Sequence, residues 1–183
     1  MEKVPKIAVM GGGSWATAIA KICLAQRDRS ICWYMRRDEQ IEEFKKYGHN
    51  PSYLSTVQFD TERIYFSSNI NEIVKKSDIL IFLTPSPFLK QHLKKLRASL
   101  KTKIVVSAIK GIVPDENLNI SEYFHRIYNV PADNLLVISG PSHAEEVAMD
   151  HLTYLMIGGH NRDNAKLMAE MLQCHYVKTS VVD

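Results

Sequence analysis

The stretch KIAVMGGGSWATAIAK, residues 6–21, decides how the chain is read. Residues 6–10 have the character of a buried strand, Gly11-Gly12-Gly13 interrupts it, and a helical pattern follows over 14–26. Gly11, Gly13 and Ala16 fit the spacing GxGxxA, and a strand before it with a helix behind it is the setting in which that spacing has a mechanism. Gly11 permits the tight turn, Gly13 lets a pyrophosphate approach the backbone, and the small Ala16 lets helix lie close to strand. The first amides of the helix, at Ser14, Trp15 and Ala16, lack carbonyls one turn back and so face an anion. A glycine turn can also join strand to helix with no ligand; position, neighbours and strand context favour a dinucleotide.

Outward from this turn the chain alternates apolar strands with amphipathic helices. Residues 30–35 read as a second strand and 38–47 as a second helix, giving a βαβα start. A looser region, 49–61, carries Pro51. Then come a strand at 63–66, a helix capped by Ser68 or Asn69, a strand at 79–83, and a helix from Ser86 to about residue 100. Further strands are expected at 103–107 and 135–138, with helices at 117–128 and, behind Gly140-Pro141, at 142–149. Strands at 152–158 and 175–178 flank a helix at 162–172. Seven or eight strands in this order predict an α/β fold. The expected form is a Rossmann-type, doubly wound, mostly parallel sheet with helices on both faces and a partly antiparallel C-terminal edge.

At 183 residues, 45% apolar and 23% charged, the chain suits one domain with a real core. A net charge of +3 gives no global pull toward polyanions. The basic stretch Lys90, Lys94, Lys95, Arg97, Lys101 and Lys103 lacks interleaved aromatics and reads as a solvated helix face, so no nucleic-acid partner is expected. The longest uncharged apolar run, 79–83, is far short of the ~20 residues of a membrane span, and no secretory h-region follows the N-terminus. A cytoplasmic protein is expected. Cys23, Cys32 and Cys174 form no CxxC pair and read as reduced thiols, and the seven histidines show no ligand spacing, so no metal is expected. The stop at Asp183, on a strand exit, reads as a cut edge more than as a natural terminus.

The second strand should end in an acid if it is to hold the ribose hydroxyls of NAD. It ends instead in Arg36-Arg37, and a guanidinium fork suits a 2′-phosphate, so NADP is slightly favoured over NAD. Lys110-Gly111 follows the strand at 103–107, on the carboxyl edge where open α/β sheets bind ligands. Gly140-Pro141-Ser142 ends another strand at a helix start, a second anion position. Glu145 and Glu146 are about 100° apart on a helix and read as charges favourable to its dipole.

Together these residues resemble bacterial NAD(P)-dependent glycerol-3-phosphate dehydrogenase. The matching segments are KIAVMGGGSWATAIAK, NPSYLSTV (50–57), LTPS (83–86), AIKGI (108–112) and ISGPSHAEEV (138–147), in order along nearly the whole chain. Ala16 departs from the usual glycine, Ser55 from a frequent proline, and His143 from a common aromatic. The resemblance implies that Ser14, Trp15, Arg36 and Tyr53 contact the cofactor and that Ala144 lies at its nicotinamide end. It implies that Lys110 touches both cofactor and substrate, with Gly140 and Ser142 near glycerol 3-phosphate or dihydroxyacetone phosphate. It further implies a role in supplying phospholipid precursors and a homodimer in the full-length enzyme.

By the same resemblance, residues 1–183 are the cofactor-binding domain, and the proton-transfer lysine belongs to a helical domain, in a Gly-Ala-Leu-Lys-Asn type segment absent from these residues. The chain alone should then turn over slowly or not at all. Two alternatives stay open: a cofactor domain of a 6-phosphogluconate or ketopantoate type reductase, and a non-catalytic NAD(P)-binding sensor.

Overall fold

The computed structural model describes residues 2–183. Four-residue strands with every side chain buried form its centre: β1 (Ile7–Met10), β2 (Ile31–Tyr34) and β4 (Ile79–Phe82). Such runs arise where both sheet faces are covered. Alternate residues serve alternate layers. Ile7, Val9, Ile31, Trp33, Ile79 and Ile81 join one apolar cluster, and Ala8, Met10, Cys32, Tyr34, Leu80 and Phe82 join the other.

Helices α1 (Ser14–Cys23) and α2 (Asp38–Tyr47) cover the first layer. After β3 (Ile64–Ser67), helix α3 (Ile70–Lys76) covers the second, as does α4 (Ser86–Leu93) after β4. Strand β5 (Ile104–Ser107) is followed by a small hairpin, β6 (Ile112–Val113) and β7 (Leu118–Asn119), then α5 (Ile120–Tyr128) and β8 (Leu135–Ser139). Helix α6 (Ala144–Ala148), β9 (Thr153–Gly159), α7 (Arg162–Leu172) and β10 (Val177–Val182) complete the chain.

The main sheet has eight strands in the order β10-β9-β8-β5-β4-β1-β2-β3. Every pairing is parallel except β8 with β9. The expected doubly wound sheet and its antiparallel departure are both present. The last two strands, however, pair parallel to one another through α7, as a reversed βαβ unit. On one side of the sheet at this edge Val137 of β8, Tyr154 and Met156 of β9 and Val182 of β10 remain exposed.

The helix expected to reach residue 100 stops at Leu93. Asn71 of α3 takes the chain there: its Oδ1 accepts the amides of Arg97 (2.6 Å) and Ala98 (2.9 Å), and its Nδ2 donates to Lys95 O. Those groups would otherwise extend the helix. The expected helix at 117–128 begins only at Ile120, after β7, where Asn119 and Glu122 form a reciprocal cap. Cys23 and Cys32 are buried and Cys174 half-buried, all unpaired, and burial pushes the Cys23 thiol up to about 12, so it packs rather than reacts.

Helix α1 is tied to α6 by one side chain. The Lys21 ammonium donates to Val147 O at 3.0 Å, pairs with Asp150, and lies 4.1 Å from the centroid of the Tyr176 ring. Because Asp150 is half exposed, the ion pair itself contributes little. Lys21→Met should cost about 1 kcal/mol through the lost carbonyl bond, lowering the melting temperature by roughly 2–4 °C. Lys21→Arg should recover part of that loss. An unchanged melting temperature in Lys21→Met would mean that apolar packing alone holds the two helices together.

Candidate functional site

The strand order reverses direction between β1 and β4, and the crevice at their carboxyl ends is where open α/β sheets take ligands. A cleft of about 400 Å³ lies there. It is lined by the turn after β1 (Gly11 to Trp15), by Arg36, Arg37 and Gln40 after β2, by Leu83 to Pro85 after β4, and by Tyr53, Phe88 and His92.

The geometry of the glycine turn follows from where its carbonyls go. Gly11 O accepts the indole N–H of buried Trp33 at 2.6 Å. Gly12 O accepts from Gln40 Nε2 (3.0 Å) and Asn50 Nδ2 (3.1 Å). Gly13 O accepts the Thr17 amide (3.0 Å) and the Thr17 hydroxyl (2.8 Å). All three carbonyls are thus held by the protein interior. Gly11 N–H donates to Tyr34 O at 3.1 Å, and the amides from Gly12 to Ala16 have no protein partner among the described residues. A run of free amides at a helix start is an anion cradle. Gly11 has φ +136°, a conformation that glycine accepts readily. At Gly13 an added Cβ would meet nothing within 4 Å, so the space in front of the turn is open.

Arg36 and Arg37 are exposed at the other end of the cleft, and neither forms an ion pair among the described residues. Asp38, the nearest acid in sequence, instead accepts from the Ser68 hydroxyl at 2.5 Å. The lining therefore carries two cations and no carboxylate among the described residues. That balance favours a multiply charged anion over a neutral ribose edge.

Beyond Trp15 lies a second cavity of about 240 Å³, and this half-buried indole lines both spaces. The second cavity is mostly apolar, walled by Ile19, Ala108, Ile109, Ile138 and Leu155, and Lys110 is its one charged lining residue among those described. Gly140 lines it too, whereas Ser142 and Ala144 are buried and line neither cavity.

The structure gives Gly140 and Ser142 packing reasons of their own. Gly140 has φ +147°, and a Cβ there would lie 2.4 Å from Tyr154 O. The Ser142 hydroxyl donates to that same carbonyl at 3.0 Å. With its proton so committed, Ser142 offers a ligand only lone pairs unless the hydroxyl turns. Ala16 and Ala144 are both buried in the first apolar layer, where α1 meets the sheet and α6, so a cofactor could meet the Ala16 amide but not its methyl.

Sequence reading passed over the residues that hold the turn. Asn50 is fully buried: besides Gly12 O it donates to Thr17 Oγ1 at 2.9 Å, and its Oδ1 accepts the amides of Ser52 (3.0 Å) and Tyr53 (3.3 Å). It therefore fixes Tyr53, which is 44% exposed, against the cleft. Asn50-Pro51-Ser52 is an Asx-turn signature that could have marked it. Gln40, Thr84, Phe88 and His92 carried no such local signal.

Comparison with known proteins gives the family and the fold. A family model described as the N-terminus of NAD-dependent glycerol-3-phosphate dehydrogenase matches residues 6–165. A curated glycerol-3-phosphate dehydrogenase [NAD(P)+] of Enterococcus faecalis is 30% identical over 94% of this chain and 51% of its own length. The Bacillus subtilis protein of the same name is 33% identical over 81% of this chain and 43% of its own. A solved structure of Plasmodium falciparum glycerol-3-phosphate dehydrogenase superposes with a TM-score of 0.85 at 25% identity, covering 97% of this chain and 52% of that one. The chain thus spans about half the length of the curated relatives it matches. Among the described residues no helix is long and apolar enough to cross a membrane.

Proposed function

Because the chain belongs to the family described as the N-terminus of NAD-dependent glycerol-3-phosphate dehydrogenase, we propose that it is the cofactor-holding domain of an enzyme interconverting glycerol 3-phosphate and dihydroxyacetone phosphate with NAD(P). The observation that carries this reading is the glycine turn, whose three carbonyls are bonded inward while Gly12 to Trp15, with amides unpartnered among the described residues, line a cleft with two arginines. Bound NAD(P) would supply the nicotinamide that accepts or gives the hydride.

The chain's own residues bind and orient. The turn amides neutralise the pyrophosphate, Arg36 and Arg37 hold a 2′-phosphate when present, and Tyr53 and Phe88 wall the cleft. Trp15 stands at the junction of the two cavities and excludes water there. The Lys110 ammonium stands over an apolar space, where a charge on the substrate would be weakly screened. Gly140 lines the wall next to it, and Ser142 and Ala144 act from behind that wall by packing. By the same resemblance, the residue exchanging a proton with the substrate oxygen belongs to a helical domain outside residues 1–183. Three unpaired cysteines suit a reducing, cytoplasmic setting.

The test is a titration of the 183-residue protein with NADPH and NADH, followed by turnover assays with both phosphates on the same sample. Binding without turnover is expected, since losing general acid catalysis alone costs about 10² to 10⁴ in rate. Failure to bind either cofactor would reduce the turn to architecture. Arg36→Asp should weaken NADPH by about 10- to 100-fold, the worth of a charge-assisted bond, and leave NADH little changed. Equal losses for both would refute a 2′-phosphate contact by Arg36.

A further inference from the structure

The cleft contains a titratable group that cofactor binding, as described above, does not use. His92 stands four residues after Phe88 on α4, so the two share a helix face, and both line the cleft. The imidazole is half-buried, with the Tyr34 ring at its edge (centroids 6.2 Å apart, planes at 83°). Its Nδ1 lies 3.4 Å from Thr84 Oγ1, a hydroxyl that can donate to the neutral ring or accept from the protonated one. Either protonation state therefore keeps a partner.

The groups facing His92 are Tyr34 at the end of β2, Arg36 in the turn that follows, and Thr84 after β4. On its own helix, Lys90 is paired with Glu116 at 2.8 Å. Burial first, and then the positive charge of Arg36, hold the imidazole below the usual histidine range. In the free protein it is neutral near pH 7, because its surroundings are partly dry and, among the described residues lining the cleft, supply a cation and no carboxylate. A dianion delivered to Arg36 would reverse that balance.

We infer that His92 makes the choice between the two nicotinamide cofactors depend on pH, adding a third cation beside Arg36 and Arg37 when a 2′-phosphate is present and ignoring a cofactor that lacks one. The inference rests on the cofactor reading of this cleft. Linkage sets its sign: if the 2′-phosphate favours protonated His92, acidification must tighten NADP⁺ relative to NAD⁺, and NADP⁺ must raise the histidine's titration midpoint. One unit of midpoint shift is a tenfold change in relative affinity. The 2′-phosphate also gains a proton near pH 6, which works in the opposite direction, and most fully in His92→Gln, where no imidazolium favours the dianion.

The experiment measures NADP⁺ and NAD⁺ affinities from pH 8 to 5.5 for the native protein and for His92→Gln, and follows the His92 ring resonance by NMR with and without each cofactor. In the native protein the affinity ratio should rise about fivefold toward acid relative to the same ratio in His92→Gln. The midpoint should move up with NADP⁺ and stay with NAD⁺. Parallel ratios in the two proteins, or a midpoint indifferent to NADP⁺, would overturn the role of His92 while leaving the cofactor reading intact. Binding of neither cofactor at any pH would overturn both. If His92→Gln does not fold, the NMR titration of the native protein decides alone.

Discussion

Gly140→Ala is expected to destabilise the protein by about 3–5 kcal/mol, with a melting temperature lower by roughly 10 °C. Two costs add. The backbone sits at φ +147°, where a side chain is strained wherever it points, and the new Cβ would lie 2.4 Å from Tyr154 O. That carbonyl belongs to β9, where Tyr154 is paired with Lys178 of β10 and the strand joins β8 from Met156 onward, so it has little freedom to retreat. Ser142→Ala is the control, since it removes only the 3.0 Å hydroxyl bond to the same carbonyl and should cost about 1 kcal/mol. Thermal melts of the two variants beside the native protein make the comparison. If Gly140→Ala melts within a degree or two of native, β9 can shift, and the glycine would owe its place to a ligand instead.

Trp33→Ala should cost about 3–5 kcal/mol, the usual range for emptying a large aromatic site. The indole is fully buried, with Phe44, Phe59 and Phe66 at centroid distances of 5.2, 5.6 and 5.8 Å. Trp33→Phe is the more informative change. It keeps much of the aromatic cluster but leaves Gly11 O, now bonded at 2.6 Å, without its donor, a loss of about 1–3 kcal/mol. The same loss slackens the turn whose amides face the cleft, so cofactor affinity should fall about tenfold, equivalent to about 1.4 kcal/mol. Urea unfolding and NADPH titration on one preparation separate the two effects. Full cofactor affinity in a destabilised Trp33→Phe would show that the turn keeps its shape without the indole.

Strands such as β4 were legible in the sequence because a sheet covered on both faces writes itself as an unbroken apolar run, Ile79 to Phe82. Helices α2 and α7 were legible to the residue, with Gly48 closing one and Asn161 capping the other. Where reading failed, the deciding group lay far away in sequence. Leu96 and Leu100 keep a helical spacing, yet the Asn71 side chain claims the amides of Arg97 and Ala98 and ends the helix. Strand β10 runs on to Val182 because β9 offers it a ladder, although Lys178 and Ser180 interrupt the apolar pattern.

The candidate site divides in the same way. The glycine turn, Arg36, Arg37 and Lys110 were readable as candidates because each comes within three residues of a strand's carboxyl end. Gln40 and Trp33 were not, because their task is to hold a carbonyl of the turn from 28 and 22 residues away; the Asx-turn signature at Asn50 marks a local turn but not its reach to Gly12, 38 residues back. His92 was hidden for a related reason: only the fold brings the last turn of α4 beside the end of β2.

The chain has two tryptophans, and they occupy contrasting positions. Trp33 is sealed in the core, and Trp15 stands half-open between the two cavities. Intrinsic fluorescence therefore divides into a blue-shifted, quencher-resistant emitter and a redder one within reach of iodide or acrylamide. The first follows unfolding and the second follows occupancy of the cleft, so one cuvette can separate a variant that has lost its fold from one that has lost only its ligand.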